Sequence, residues 1–208
     1  MREVDIGHTD LGESERASPA VELPRNFCDC IRDASTLSHP PILETRSLHW
    51  PDEVACARFA SALAHAIARE PQLQDARLEL DGPLGAGKTT FVRHLLRGLG
   101  ASGRIKSPTY AVVEPYALSL SNGQVLHVSH FDFYRFDDPR EWDDAGFRDL
   151  YAAPGLKIAE WAAKAAPQLP APDLVLTIDP QADDSRTVQA EAFSAAGHAL
   201  LAAAEGAA

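Results

Sequence analysis

An eight-residue segment near the middle of the chain has the residue types and spacing that bind phosphate. Residues 82–89, Gly-Pro-Leu-Gly-Ala-Gly-Lys-Thr, match the phosphate-loop pattern G-x-x-x-x-G-K-[ST] at every fixed position. The glycines let successive backbone N–H groups point at the phosphates, and the lysine adds a positive charge. The pattern predicts a nucleoside triphosphate site. Its predicted binding residues are Gly82, Gly85, Ala86, Gly87, Lys88, Thr89 and Thr90.

Two carboxylates at predicted strand ends supply groups that phosphoryl chemistry needs. Asp132 closes the run 125–131, and Glu160 closes the run 156–159. Because α/β proteins bind ligands at the carboxyl edge of the sheet, both side chains are expected beside the phosphates. We predict Thr89 and Glu160 as Mg²⁺ ligands, with Lys88, Asp132 and Glu160 as catalytic groups. Each carboxylate has an alternative interpretation as a helix cap or a solvated strand-end charge.

A stiff segment follows the helix that leaves the phosphate loop. Ser107 precedes Pro108 and is therefore held extended, and Thr109 and Tyr110 come next. The Thr109 hydroxyl either senses the γ-phosphate through metal or water, as a catalytic switch, or is an ordinary turn hydroxyl.

Several residues near the carboxylates have both a functional and a structural interpretation. Arg135, after Tyr134, could neutralise phosphate charge or bind an acidic group of a partner. Trp161 packs under the sheet or stacks on a base or partner. His127 and His130 are predicted strand residues rather than metal ligands, because Mg²⁺ prefers oxygen.

Composition narrows the possible partners and compartment. The formal net charge is −11 with only four lysines, which argues against a surface that follows a nucleic-acid backbone. No apolar run approaches the ~20 residues that span a bilayer, and no secretion signal is recognised, so we expect a cytoplasmic protein. Three cysteines cannot all pair and form no zinc pattern.

The nucleotide is predicted to be ATP. The guanine-reading pattern N-K-x-D is impossible here, because neither Asn26 nor Asn122 precedes a lysine. Asp52 and Arg186 are weak candidates for nucleotide contacts, since each lies near an element that could close over the base.

The order of elements predicts a layered α/β domain. Residues 1–44 are predicted to be a flexible extension with a Ser-His-Pro-Pro linker at 38–41, and residues 45–208 are predicted to be the P-loop domain. Helices are predicted from Pro51, over 89–99, from Asp138 to Gly146 and over 194–204. Strands are predicted over 77–81, 110–116, 124–132, 156–161, 174–179 and, as an edge, 187–193. The strands at 110–116 and 124–132 should form an antiparallel hairpin, which gives a P-loop NTPase fold of three layers with a mixed, mainly parallel sheet.

These motifs together resemble the TsaE family, small ATPases of bacterial tRNA threonylcarbamoyladenosine biosynthesis. The resemblance rests on four segments in the family's order and covers roughly residues 46–204. They are 84–90 (Leu-Gly-Ala-Gly-Lys-Thr-Thr), 106–110 (Lys-Ser-Pro-Thr-Tyr), 130–135 (His-Phe-Asp-Phe-Tyr-Arg) and 160–161 (Glu-Trp). The sequence differs from the residues usual in the family at Pro83 and Ala159, and neither difference removes a group that would bind phosphate or metal.

The resemblance implies partners and roles that can be tested. Thr89 and Glu160 would bind Mg²⁺, Asp132 would support hydrolysis, and residues 107–109 would act as a switch. Family membership implies weak ATP hydrolysis stimulated by TsaD and TsaB, with tRNA engaged only through that assembly. Two other classes stay open, a small-molecule P-loop kinase and a nucleotide-gated binding module without significant turnover.

Overall fold

One seven-stranded sheet organises the part of the chain that a computed structural model describes, residues 41–136, 142, 146–166 and 168–205. The strands are β1 (Glu44–Trp50), β2 (Arg77–Asp81), β3 (Val113–Ser119), β4 (Val125–Asp132), β5 (Leu156–Glu160), β6 (Leu174–Pro180) and β7 (Arg186–Ala192). The α-helices are α1 (Glu53–Arg69), α2 (Lys88–Gly98), α3 (Phe147–Ala152) and α4 (Ala195–Ala203), with short 3₁₀ turns at Pro71–Leu73 and Ala162–Lys164.

The sheet has a parallel centre and antiparallel margins. Its order is β1-β7-β6-β2-β5-β4-β3, in which β6, β2, β5 and β4 run parallel. Strands β1 and β7 continue the sheet antiparallel on one side, and β3 pairs antiparallel with β4 on the other. The predicted α/β class, mixed sheet and β3–β4 hairpin are confirmed. The parallel centre places the carboxyl ends of β2, β4 and β5 at one edge.

Helices α1, α2 and α4 cover one face of the sheet. Leu78 and Leu80 of β2 face them and are fully buried, as alternation along a strand requires. Helix α1 begins with Asp52 as its cap, whose carboxylate accepts a hydrogen bond from the Ala55 amide at 2.9 Å. Phe59, Leu63 and Ile67 of α1 are buried, whereas Val54 in its first turn is 63 % exposed.

A second, mainly aromatic core lies on the opposite face at the β4 and β5 end. Phe131 and Phe133 stack with ring centroids 5.6 Å apart, and Tyr151 of α3 packs against Phe131. Ala159 of β5 belongs to the same cluster. This cluster fixes the ends of β4 and β5 beside each other, which is where the two predicted carboxylates lie.

Two predictions about elements were wrong or incomplete. Residues 44–50 form β1, which was not predicted, and β1 rather than β7 is therefore the edge of the sheet. Gly146, with φ at 69°, is the residue before α3, and most of the helix predicted to end at this glycine lies outside the described residues. The loop before β3 extends to Val112, so this strand begins three residues later than predicted.

Some predictions fall outside the described residues. They are the extension up to residue 40 and the helix start at Asp138-Pro139. The division of the chain at residue 44 stays a prediction. None of the described helices has the length and apolar character needed to cross a membrane.

Candidate functional site

The phosphate-loop segment connects β2 to α2 at the carboxyl edge of the sheet. Gly82 has φ at 132°, and a Cβ there would collide with the carbonyl oxygen of Ile178 in β6. Gly87, at φ 110°, precedes the first residue of α2, and a Cβ there would meet no atom within 4 Å. The loop is therefore pinned to the sheet at its entrance and open where it meets the helix. The open end leaves space at the positive N-terminus of α2, where anions bind.

Lys88 is folded back onto the loop. Its ammonium donates hydrogen bonds to the carbonyl oxygens of Gly82 at 2.5 Å and Pro83 at 2.9 Å, and it lies 3.9 Å from the centre of the Trp161 ring. Burial lowers the pKa of Lys88, and the nearby carboxylates of Glu160, Asp81 and Asp132 act in the opposite direction. The charge is thus held beside the cavity by groups that a phosphate oxygen could replace.

The carboxylate of Glu160 is held at both oxygens. Thr89 at the start of α2 donates its hydroxyl hydrogen to Oε2 at 3.0 Å, and Nε2 of His130 lies 2.9 Å from Oε1. Glu160 is 2 % exposed and His130 is fully buried. Asp132 is the register partner of Glu160 on β4, so the two carboxylates end adjacent parallel strands. The structure thereby brings together the predicted Mg²⁺ ligands.

Asp132 anchors the segment that was predicted to act as a switch. Its Oδ2 accepts hydrogen bonds from the hydroxyls of Ser107 and of Thr109, the latter at 2.7 Å. Its Oδ1 accepts from the backbone N–H of Tyr134 at 3.0 Å. Pro108 accepts from the amide of Val112, which closes the segment into a turn. The Thr109 hydroxyl is therefore a specific contact of the predicted catalytic carboxylate.

A cavity of about 320 Å³ joins these groups. Its walls are the phosphate loop, the switch segment and the ends of β4 and β5. The lining residues are Leu84, Gly85, Ala86, Gly87, Lys88, Thr89, Thr90, Ser107, Thr109, Asp132, Tyr134, Glu160 and Trp161. All four predicted catalytic residues line it. Trp161 is half-buried, in the left-handed conformation at φ 60°, and its ring both contacts Lys88 and packs against the aromatic core.

An adjoining cavity of about 250 Å³ lies on the other side of the loop. Asp52 and Arg186, the two weak candidates for nucleotide contacts, both line it together with Trp50 and Cys56. Arg186 also donates from Nε to the carbonyl oxygen of Ala86 at 3.0 Å, which ties β7 to the phosphate loop. Burial raises the pKa of the Cys56 thiol to about 12, so this cysteine is an inert part of the wall.

Large apolar side chains are exposed around the mouth of the cavity of about 320 Å³. Leu84 is 76 % exposed at the loop tip and Tyr110 is 85 % exposed after the switch threonine. Arg135 places its guanidinium 4.1 Å from the Tyr110 ring centre, and the ring of Tyr134 lies 5.2 Å from that of Trp161. None of Tyr110, Pro108 and Arg135 lines the cavity itself. Tyr110 and Arg135 are exposed beside it, whereas Pro108 is buried in the turn.

The donor set at this site suits a hard cation completed by a ligand. Among the described residues, no three His, Cys, Asp or Glu side chains come together as a metal site. Thr89 and Glu160 nevertheless present two oxygens at the phosphate end of the cavity. Mg²⁺ is commonly held in this way, by one or two protein oxygens together with waters and substrate phosphates. The residues therefore fit Mg²⁺ together with a nucleotide.

Comparison with known proteins identifies the family. Residues 51–188 match the model of the threonylcarbamoyl adenosine biosynthesis protein TsaE. This chain belongs to the TsaE family. The Haemophilus influenzae tRNA threonylcarbamoyladenosine biosynthesis protein TsaE is 34 % identical over 161 residues, which are 77 % of this chain and 98 % of that protein. Bacillus subtilis TsaE is 36 % identical over 121 residues, 58 % of this chain and 70 % of its own length.

A solved structure shares the TsaE-like fold. The crystal structure of Bacillus subtilis YdiB aligns with a TM-score of 0.54 at 26 % identity, covering 78 % of this chain and 96 % of YdiB. The matched family segment contains the phosphate loop, the switch segment, both carboxylates and Arg186. Strand β1 lies before it, so the strand that sequence reasoning missed is also outside the family model.

Sequence reasoning missed one close contact in this TsaE-family site. His130 was interpreted as a strand residue, which it is, but its hydrogen bond to Glu160 was not predicted. The available signal was its position two residues before Asp132, which places both side chains on the same face of β4. Trp50 and Cys56 were not predicted either, since both read as ordinary apolar residues near α1.

Proposed function

We propose that this TsaE-family protein binds ATP with Mg²⁺ and hydrolyses it weakly, acting through TsaD and TsaB in the formation of N6-threonylcarbamoyladenosine in tRNA. The observation that carries the proposal is the 3.0 Å hydrogen bond between Thr89 and Glu160. It joins the end of the phosphate loop to the carboxyl end of β5 inside one cavity. A cation bound by both oxygens would lie between the loop and the two strand carboxylates.

The chain's own groups divide the work on the nucleotide. Amides of the loop and the N-terminus of α2 hold the phosphates. Lys88 moves from the carbonyls of Gly82 and Pro83 to a terminal phosphate oxygen. The base and ribose occupy the adjoining cavity beside Asp52 and Arg186.

Thr89 and Glu160 hold the cation, and Asp132 couples the reaction to the switch segment. Mg²⁺, when bound, neutralises charge that develops on the phosphoryl oxygens. Asp132 orients the attacking water only after the hydroxyls of Ser107 and Thr109 leave its Oδ2. Turnover by the isolated chain is therefore slow, since the catalytic carboxylate is occupied by its own loop.

Partners act by moving that loop. Tyr110 and Leu84 expose apolar surface at the mouth of the cavity, beside the switch segment. A protein that buries these side chains shifts the loop only if it binds one loop state more tightly than the other. The net charge of −11 favours a role through proteins rather than direct contact with tRNA.

The test is ATP hydrolysis by the purified chain, alone and with TsaD and TsaB. Glu160→Gln keeps the shape of the side chain and removes its charge, and it should lower partner-stimulated turnover about 100-fold or more. ATP affinity measured in EDTA should stay close to that of the parent. Glu114→Gln on β3 is the matched control, because Glu114 is exposed and should leave turnover unchanged.

Three outcomes would contradict the proposal. Turnover that ignores TsaD and TsaB but rises with a metabolite that becomes phosphorylated would identify a kinase. Tight ATP binding with partner binding but no turnover would identify a nucleotide-gated binding module. Equal loss of turnover and of EDTA-insensitive binding in Glu160→Gln would assign Glu160 to folding.

A further inference from the structure

A buried chain of hydrogen bonds runs from the phosphate loop helix into the sheet. It passes from the Thr89 hydroxyl to Glu160 Oε2, and from Glu160 Oε1 to Nε2 of His130. His130 and Glu160 are 0 % and 2 % exposed. A carboxylate in such surroundings is costly unless both oxygens have partners, so each contact constrains the other.

The sheet register places His130 under the carboxylate. Strands β4 and β5 are parallel neighbours in which Asp132 pairs with Glu160 and His130 pairs with Ile158. His130 and Asp132 are two residues apart and lie on one face of β4. One strand therefore carries both the catalytic carboxylate predicted for hydrolysis and, one step deeper, the imidazole that contacts the predicted metal ligand.

The orientation of the imidazole follows from its other nitrogen. Nδ1 of His130 is buried and has no hydrogen-bond partner among the described residues. Burying a ring N–H without an acceptor costs more free energy than burying a ring nitrogen that carries no hydrogen and has no partner. Nε2 therefore carries the hydrogen and donates it to Oε1 of Glu160, which leaves Oε2 facing Thr89.

We propose that His130 is a positioning residue that fixes the Glu160 carboxylate, so that Oε2 and the Thr89 hydroxyl form one divalent-cation site. This inference rests on the proposed function, because it concerns the cation that accompanies ATP. A carboxylate fixed at one oxygen loses little freedom when the other binds metal. Outer-shell partners of this kind typically contribute 10–100-fold to metal affinity.

The competing interpretation is that His130 only fills space and satisfies a buried carboxylate. Two polar substitutions distinguish these roles, because their amide nitrogens extend to different distances from the backbone. In His130→Gln the side-chain amide nitrogen can approach the place of Nε2, whereas in His130→Asn the amide is shorter and lies near the place of Nδ1. Only the glutamine variant can donate to Glu160. His127, exposed on the same strand, provides matched controls in His127→Gln and His127→Asn.

The measurement is binding of Mn²⁺ to the full chain with saturating ADP, followed by electron paramagnetic resonance. His130→Asn should weaken Mn²⁺ binding roughly 10–100-fold, while His130→Gln should stay within about threefold of the parent. ADP affinity in EDTA should be unchanged in both variants, and the His127 variants should match the parent throughout.

The outcomes distinguish this inference from the proposed function. If the parent binds Mn²⁺ with ADP and the folded Asn and Gln variants bind it equally well, the role of His130 is overturned and the proposed function stands. If the parent itself binds no Mn²⁺ with ADP, both fail. A measurement without His130 variants is nitrogen-15 NMR of the parent, in which a hydrogen on Nδ1 rather than Nε2 would overturn the assignment.

Discussion

Strand β5 buries a charged side chain near each end, and the two charges are satisfied by different kinds of partner. Near its start, Lys157 donates to the backbone carbonyls of Ala153 and Gly155 at 2.5 and 2.6 Å. At its end, Glu160 contacts side chains from α2 and β4. The backbone carbonyls that accept from Lys157 are fixed by a turn and cannot reorient. The Thr89 hydroxyl that donates to Glu160 can rotate toward a ligand. The comparison separates a charge that holds the fold from one that we propose takes part in the chemistry.

The surroundings of the two charges support this distinction. Burial lowers the pKa of Lys157, and the Asp75 carboxylate opposes that shift while also accepting from the Gly155 amide at 2.5 Å. The start of β5 is thus closed by contacts with the backbone of the preceding turn and with Asp75. At the end of β5, Lys88 is held by carbonyls of its own loop beside an open cavity. Lys88 and Glu160, whose present hydrogen-bond partners a ligand could replace, both lie at the carboxyl edge of the sheet.

The largest expected effect on stability is at the start of the strand. Lys157→Met should lower the free energy of unfolding by about 3 kcal/mol, because the buried ammonium no longer donates charge-assisted hydrogen bonds to the carbonyl oxygens of Ala153 and Gly155. ATP affinity of the folded fraction should not change. Urea unfolding and nucleotide titration measure the two quantities, and the exposed Lys106→Met serves as the control. If Lys157→Met left stability unchanged but weakened ATP binding, the distinction between a structural charge at the start of β5 and a functional charge at its end would be wrong.

A half-buried carboxyl on the neighbouring strand β2 should give a pH-dependent effect of about 2 kcal/mol, less than the full pKa shift corresponds to because the side chain is partly solvated. Burial, with the Asp81 charge, raises the pKa of Glu79 from 4.5 to about 7. The folded chain therefore holds this proton more tightly than the unfolded chain, and stability falls as pH rises from about 4.5 to 7. Glu79→Gln should match the parent near pH 5 and exceed it at pH 8.

Unfolding curves across that pH range test the sign of the Glu79 prediction. Glu114→Gln, an exposed change, supplies the baseline. A parent whose stability relative to Glu79→Gln rises with pH would mean that the Glu79 carboxylate is paired in the folded chain. Glu79 would then resemble Glu160 rather than a desolvated, protonated carboxyl.

The smallest expected effect on stability is at the end of the strand. Glu160→Gln should change the free energy of unfolding by no more than about 0.5 kcal/mol, because the amide keeps contacts with Thr89 and His130 while removing a buried charge. The same variant is predicted above to lose turnover. Thermal and urea unfolding of this variant beside Lys157→Met gives the comparison directly, and equal destabilisation of the two would refute it.

The sequence predicted the centre of this molecule better than its margins, for physical reasons. The segment 77–81 alternates charged and apolar residues, the segments 156–161 and 174–179 are mainly apolar, and each became a parallel strand. The phosphate loop lies where its pattern places it, because the pattern encodes a strand–loop–helix unit. The assigned roles of its residues stay predictions, since the fold locates side chains without testing their chemistry.

What could not be predicted depends on neighbours distant in the sequence. Strand β1 has few apolar residues and is defined by pairing with β7, more than 130 positions later. The contact between His130 and Glu160 requires β4 and β5 to be adjacent, which the order of elements along the chain does not specify.

The two fixed glycines of the phosphate-loop pattern differ in what would happen to them during evolution. At Gly82 any side chain collides with the backbone of β6, so a change there would require the sheet to shift. At Gly87 space is available, and only the backbone conformation and the approach of a ligand restrict the residue. In a lineage that lost nucleotide binding, Gly87 would diverge early while Gly82 persisted. A homologue that keeps Gly82 but not Gly87 would then be related by descent without necessarily binding nucleotide.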